Sequence, residues 1–240
     1  MSRRDRLVCT PGTLCDHRVF DPLVERLGFD AVHAPIRAPN VEEAAHAALM
    51  AAPDHFVAMG FSLGGLVVLE MLRQAPERID AAILISSNAH PDAPENAPGR
   101  RAQVDTARRE GMAVLIDELW PRYVAASALG QMDICRTIKA MAVAIGVEDF
   151  AQQAELAITR ADSRADIPRM KAPLLVLCGA EDALCSTDRY AEAAAGPTAT
   201  LVVLPGVGHF VPLEATARAA DAIQGWMDTV SMAHPNAGRA

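Results

Sequence analysis

The stretch His55-Phe56-Val57-Ala58-Met59-Gly60-Phe61-Ser62-Leu63-Gly64-Gly65-Leu66 passes from an apolar run into the helical pattern that continues to Gln74. The run from His55 to Met59 has the length of a buried strand, and the apolar spacing after it has the period of a helix. Ser62 therefore stands where a strand turns into a helix. The pattern Gly60-x-Ser62-x-Gly64 fits a turn so tight that the positions two before and two after the serine carry no side chain. Such a turn holds the serine in a strained, outward-pointing conformation. Its hydroxyl then lies at a helix N-terminus, where N–H groups and the helix dipole favour negative charge. With eight serines and fifteen glycines in the chain, chance supplies roughly 0.03 such matches. The competing reading is a glycine-rich turn without chemistry, and the presence or absence of partners for Ser62 decides between them.

Outward from this corner, strand-length apolar runs alternate with amphipathic stretches. The runs are Leu7 to Thr10, Ala31 to Ala34, His55 to Met59, Ala81 to Ile85, Leu174 to Leu177 and Leu201 to Leu204. Helical spacing covers Phe20 to Leu27, Val41 to Ala51, Gly64 to Gln74, Asp188 to Ala195 and Ala215 to Val230. Asn40 precedes the second of these, with Glu42 and Glu43 in its first turn, a favourable start for the macrodipole. This alternation predicts an α/β fold with a mostly parallel sheet of about six strands and flanking helices. One interval breaks the rhythm. Residues 91–169 show only helical patterns, at Gly99 to Arg109, Met112 to Leu119, Gln131 to Ile145 and Glu148 to Ile158, and prolines mark both ends. Residues 1–90 and 170–232 are thus expected to form the core. Residues 91–169 are expected as an α-helical lid above the carboxyl edge of the sheet, where open α/β sheets bind ligands, and residues 233–240 as a flexible tail.

Composition narrows the class. The chain is 51% hydrophobic with a net charge of −8 and no acidic or basic block, which argues against nucleic acid or an anionic membrane as partner. A small-molecule substrate is expected, and composition says nothing of the oligomeric state. No apolar leader or bilayer-length apolar stretch is visible, so the reading is a soluble, cytoplasmic protein. Cys9, Cys15, Cys135, Cys178 and Cys185 form no metal-ligand spacing and are an odd number. Reduced thiols are the simplest account, with no metal and no cofactor implied.

A serine hydroxyl needs a base, and the base needs an orienting group. The run Leu174 to Leu177 ends in Cys178-Gly179-Ala180-Glu181-Asp182, and Leu201 to Leu204 ends in Pro205-Gly206-Val207-Gly208-His209. Both loops fall at the carboxyl edge, so Asp182 and His209 are the expected partners of Ser62, with Glu181 as the neighbouring alternative to Asp182 and Asp92 as a more distant one. The chain order Ser62, Asp182, His209 is that of an elbow-type hydrolase.

At these residues the chain resembles the α/β-hydrolase family over nearly its whole length. Gly179-Ala180-Glu181-Asp182 is similar to that family's turn before the acid, and Gly208-His209-Phe210 with Glu214 downstream to its histidine loop. The resemblance implies a serine hydrolase or carboxylesterase with Ser62, Asp182 and His209 as catalytic triad. Leu63 would be one backbone donor of an oxyanion hole. The second would come from the loop Pro11-Gly12-Thr13-Leu14-Cys15-Asp16-His17, where Thr13 matches the family's donor and Leu14 is the alternative. Three departures from the family are expected: Pro11 stands in place of its histidine in that loop, its first two strands have no counterpart in the expected six-stranded sheet, and Ala34-Pro35-Ile36-Arg37-Ala38-Pro39 stands in place of its Asp-x-x-Gly-x-Gly-x-Ser stretch.

For the substrate pocket the lid offers Met112, Leu115, Leu119, Trp120, Tyr123, Met132, Met141 and Phe150, and adaptable methionines with aromatics imply an apolar pocket. Leu14, Phe61, Trp120, Tyr123 and Phe210 are the expected substrate contacts, with Arg122, His17 and His90 as further candidates. The leading expectation is hydrolysis of a small to medium ester, thioester or lactone through an acyl-enzyme. The same triad also serves C–C hydrolysis or elimination on acidic enol substrates, as in family members of menaquinone synthesis. Those reactions call for fixed cations, and Arg37, Arg100 and Arg122 are the candidates. A ligand-binding receptor on the same scaffold is the reading from another class.

Overall fold

The computed structural model describes residues 6–233. Six strands form one sheet: β1 (Arg6–Thr10), β2 (Asp30–His33), β3 (Phe56–Phe61), β4 (Ile79–Ile85), β5 (Leu174–Gly179) and β6 (Ala199–Leu204). Their order is β2-β1-β3-β4-β5-β6, and every pair is parallel. All six runs expected from the sequence are present. The helices of the core are α1 (Asp21–Leu27), α2 (Val41–Ala51), α3 (Leu63–Gln74), α7 (Thr187–Ala193), the short α8 (Val211–Glu214) and α9 (Thr216–Ala233). Helix α9 takes in Ala233, the first residue of the expected tail, and the other residues of that tail lie outside the described residues.

Strand alternation sorts the core into two layers, because successive side chains leave opposite faces of a sheet. Leu7, Cys9, Val57, Met59, Ile83, Ile85, Leu175 and Leu177 pack on one face with α1 and α9. Val8, Phe56, Ala58, Ala82, Leu84, Leu174 and Val176 pack on the other with α2, α3 and α7. Both faces are covered, as a parallel sheet requires. Each fully buried aliphatic side chain contributes roughly 1.5–3 kcal/mol, so the sheet's centre is the rigid base on which the loops stand. The chain winds from β1 outward to β2 and then returns to the other side of β1 with β3. The loops after β1 and β3 therefore diverge at a topological switch point, where α/β sheets leave a crevice.

Between β4 and β5 the described chain holds only helices: α4 (Ala97–Glu110), α5 (Met112–Tyr123) and α6 (Met132–Thr159). Their buried side chains, among them Leu115, Ile116, Ile138, Met141 and Phe150, join the same core layer as α1 and α9. The two helices expected at 131–145 and 148–158 are one run broken at Gly146, whose φ of 76° and ψ of 170° lie outside the helical region. No helix among the described residues is long and apolar enough to cross a membrane.

Gly146 adopts a backbone conformation open essentially to glycine alone, yet a β-carbon there would meet nothing within 4 Å. Its substitution therefore isolates backbone strain from steric clash. Gly146→Ala is expected to destabilise the fold by about 1–3 kcal/mol, read as a lowered urea midpoint. An unchanged midpoint would show that the kink relaxes without cost.

Candidate active site

Ser62 follows β3 and precedes α3, with φ 51° and ψ −115°. A non-glycine residue rarely adopts a positive φ, and the turn imposes it here by crowding. A β-carbon on Gly64 would lie 1.9 Å from the Thr10 carbonyl oxygen, and one on Gly60 would lie 2.5 Å from the Gly64 carbonyl. The Thr10 hydroxyl donates to the Gly64 carbonyl at 2.8 Å, which ties the end of β1 to the start of α3.

The structure brings the three widely separated residues together. His209 Nε2 lies 2.9 Å from Ser62 Oγ, and His209 Nδ1 lies 2.7 Å from Asp182 Oδ2. The Asp182 side chain is 1% exposed and that of His209 is 6% exposed. Asp182 Oδ1 accepts the N–H groups of Leu184 (2.8 Å) and Cys185 (3.2 Å), and Oδ2 also accepts the Tyr190 hydroxyl at 2.5 Å. Burial by itself would raise the Asp182 carboxyl, but the His209 charge and hydrogen bond, the Tyr190 hydroxyl and the Leu184 N–H outweigh it and hold the group below its ordinary value. Burial and the neighbouring Asp182 charge push the Tyr190 hydroxyl upward, so it stays neutral and donates. Glu181 is exposed, and its backbone N–H donates to the Val207 carbonyl. Asp92 is engaged elsewhere, with Arg100, Arg160 and Asn96.

The histidine loop is fixed from two sides. Glu214 accepts the N–H groups of Gly208, Phe210 and Ala125 at 2.8–3.0 Å. The N–H groups of His209 and Phe210 both donate to the Tyr123 carbonyl at the end of α5. Phe61 packs between the two, with ring centroids 5.3 Å from His209 and 5.1 Å from Phe210.

The two candidates for the second oxyanion donor differ in their surroundings. The Leu14 N–H, on a residue with φ 61°, already donates to the buried Gln153 side-chain oxygen at 2.9 Å. Thr13 lines the cavity beside Ser62 and Leu63. A β-carbon on Gly12 would sit 3.2 Å from the Ser62 β-carbon, so this loop passes directly by the serine. The N–H of Leu63 opens α3 and has no carbonyl of its own helix to meet.

Ser62 opens into a cavity of about 380 Å³. Phe61, Leu119, Tyr123, Phe150 and Phe210 supply its apolar wall, but Asn88, Asn96, Arg100, Gln103, Arg122 and Arg160 line it as well. The expected apolar pocket is thus corrected to a mixed one. The inserted helices α4 to α6 spend much of their apolar surface on their own packing. Met112, Leu115 and Met141 are buried in the core layer, and Met132 is 49% exposed. Trp120 is outside the cavity lining, buried with its indole N–H on the Leu129 carbonyl. Leu14 is likewise buried away from it. His17 is an exposed partner of Asp21, His90 pairs with Glu192, and Arg37 pairs with Asp149.

Sequence reasoning passed over Tyr190, Gln153 and Ser86. Gln153 had a readable signal, a polar residue in the buried set Phe150, Gln153, Ala154 and Ala157 at helical spacing. Ser86 follows β4 and lines the same cavity as Ser62, with a similar φ of 49°, and its buried hydroxyl has no hydrogen-bond partner among the described residues.

Residues 7–222 match the alpha/beta hydrolase family. A pimeloyl-[acyl-carrier protein] methyl ester esterase of Aromatoleum aromaticum is 30% identical over 161 residues, 62% of this chain and 64% of its own length. The match thus spans less than two thirds of that relative. A thermophilic esterase from Thermogutta terrifontis, solved with malate bound, superposes with a TM-score of 0.83 at 27% identity, covering 94% of this chain and 90% of the other. The enol-lactonase of Burkholderia xenovorans shares the fold, with a TM-score of 0.82 at 23% identity over 94% and 92% of the two chains.

The donors around Asp182 make a checkable energetic claim. Tyr190→Phe removes one hydrogen bond to a buried carboxylate and is expected to cost about 1.5–3 kcal/mol at pH 7. Because Asp182 is depressed in the folded state, the stability it provides is complete above the ordinary aspartate value and is lost as pH falls through the lower folded value. The gap between wild type and Tyr190→Phe should therefore begin to narrow as pH falls below about 4 and close only below the depressed folded value. Urea unfolding across pH would contradict this with a gap that stays constant.

Proposed function

The chain belongs to the alpha/beta hydrolase family, and on that premise we propose that it is a serine hydrolase cleaving a small to medium carboxylic ester, thioester or lactone through an acyl-enzyme. The observation that carries the reading is the unbroken line from Ser62 Oγ through His209 to Asp182, at 2.9 and 2.7 Å. These are the distances that general-base activation of a hydroxyl requires.

In this reading the Ser62 hydroxyl gives its proton to His209 Nε2 as Oγ attacks the ester carbonyl. His209 Nδ1–H donates to Asp182, which fixes the tautomer and stabilises the imidazolium. The carbonyl oxygen becomes an oxyanion held by the N–H groups of Leu63 and Thr13, two fixed dipoles that need no reorganisation. The tetrahedral intermediate collapses, and the imidazolium proton passes to the leaving alcohol or thiol. Water repeats the sequence on the acyl-enzyme, giving its proton to His209, and releases the acid with Ser62 restored.

The cavity of about 380 Å³ lies in the range of small-ligand sites, which supports a substrate of modest size. The ester activities in the names of the Aromatoleum relative and the Thermogutta structure support ester hydrolysis, and the bound malate of the latter is consistent with a polar pocket. Arg100, Arg122 and Arg160 in the cavity wall are the observation on the side of C–C hydrolysis or elimination, which would use the same triad on an acidic substrate.

One experiment separates these readings. A panel of short- and medium-chain methyl esters, thioesters and lactones should be turned over by the wild type and not by Ser62→Ala, and a fluorophosphonate should add once by intact mass, only to the wild type. Adduct formation on Ser62→Ala would show that the nucleophile is elsewhere. Labelling of the wild type with no turnover of the panel would point to the elimination chemistry or to a receptor.

A further inference from the structure

The cavity wall carries a charge imbalance that ester hydrolysis by Ser62 does not use. The Asp92 side chain is 2% exposed. It accepts Arg100 Nε at 2.8 Å and Arg100 Nη2 at 3.0 Å, and Asn96 Nδ2 at 3.1 Å. Arg160 Nη2 lies 3.3 Å from the same carboxylate. One carboxylate thus faces two guanidiniums, and Asn96, Arg100 and Arg160 all line the cavity that Ser62 opens into. Arg160 spends its remaining nitrogens on the carbonyls of His90 and Ala157. Arg100 Nη1 has no hydrogen-bond acceptor among the described residues.

Arg160 stays a cation at neutral pH. Burial lowers Arg160, and the charges of Arg100 and Arg189 lower it further while Asp92 opposes them, but an arginine starts from so high a value that it remains protonated. Burial would raise Asp92, yet the hydrogen bonds from Arg100 and Asn96 and the charges of Arg100 and Arg160 hold it below its ordinary value. The net charge of this cluster is therefore +1. At the cavity mouth Glu95 and Arg122 are both exposed, carry opposite charges and are screened by solvent. The interior excess is screened less, and a partly buried cation without a counter-charge is costly.

We propose that the Asp92 end of the cavity is a carboxylate subsite, in which Arg100 and Arg160 bind an anionic group on the substrate while Ser62 attacks an ester elsewhere on the same molecule. This rests on the ester-hydrolase reading above and narrows it to esters that also carry a carboxylate.

The test compares matched pairs by pH-stat: methyl hydrogen adipate against methyl hexanoate places the carboxylate on the acyl side, and carboxymethyl butyrate against ethyl butyrate places it on the alcohol side. In at least one pair the anionic ester should have the higher kcat/KM. The anionic-to-neutral ratio should fall about tenfold in Arg100→Gln, the scale of one charge-assisted hydrogen bond. It should rise in Asp92→Asn, which removes the neutralising carboxylate. The ratio cancels any general damage to the lid, and should Arg100→Gln fail to fold, the rise in Asp92→Asn decides. Ratios at or below one in both pairs, or ratios that ignore these substitutions, overturn the subsite while leaving ester hydrolysis standing. If the wild type cleaves none of the four esters, the ester-hydrolase reading fails only when the wider panel of esters, thioesters and lactones is untouched as well. Calorimetric titration of methyl hydrogen adipate into Ser62→Ala then decides the subsite. Binding weakened about tenfold by added Arg100→Gln supports it, and affinity equal to that for methyl hexanoate overturns it.

Discussion

A β-carbon at position 64 would lie 1.9 Å from the Thr10 carbonyl oxygen, and the arrangement of the sheet edge that carries Ser62 follows from that lack of room. Because Gly64 lets the start of α3 touch the end of β1, the loop after β1 is pressed against the corner that carries Ser62. Gly60 allows the same corner to fold back on itself, and Ser62 is left with φ 51°. Strain of this kind costs about 1–3 kcal/mol. The flanking strands supply the opposing stability: Ser62 N–H donates to the Ile85 carbonyl at 2.9 Å, and β1, β3, β4 and β5 are buried nearly throughout. The strained residue is thus held by the most rigid part of the molecule, as preorganised donors and nucleophiles require.

Asp182 and His209 are positioned by two means together. A β-carbon on Gly179 would lie 2.2 Å from the Val207 and Gly208 carbonyl oxygens and one on Gly208 2.4 Å from the Ala125 nitrogen, so these loops too are closely packed, and each is further held by hydrogen bonds to a carboxylate. Asp182 gathers two backbone N–H groups, a tyrosine hydroxyl and the imidazole, and Glu214 gathers three backbone N–H groups around the histidine loop. Through Ala125 and the Tyr123 carbonyl, that second cluster also joins the end of α5 to His209. Displacement of α5 would therefore disturb His209 as well as the cavity wall, so the packing of the inserted helices and the position of His209 are linked through the same hydrogen bonds.

Much of this was legible in the sequence because it is local. A strand followed by Gly60-x-Ser62-x-Gly64 encodes its own corner, and Asp182 and His209 were readable as residues just beyond apolar runs. The six strands followed from runs of Val, Leu and Ile that need no partner to be recognised. What escaped depends on contacts between distant segments. The choice between Thr13 and Leu14 turns on Gln153, on the far side of the insert. The pocket's polarity turns on Asp92 drawing Arg100 and Arg160 into the wall, and no periodicity announces a carboxylate shared across 68 positions of chain. A large aromatic in the insert points by size and position to the pocket, but the Trp120 side chain instead closes the packing of α5 on the turn at Leu129.

The central claim is that Ser62 and His209 act as one unit on a single proton. The most direct test is kcat/KM for ester hydrolysis by Ser62→Ala, His209→Ala and the double variant, measured against the uncatalysed rate. Groups that act as a unit give grossly non-additive losses, so the double variant should be no slower than the slower single one. Losses that multiply in the double variant would mean that the two side chains contribute separately, and that the 2.9 Å contact between them is not the step on which turnover depends.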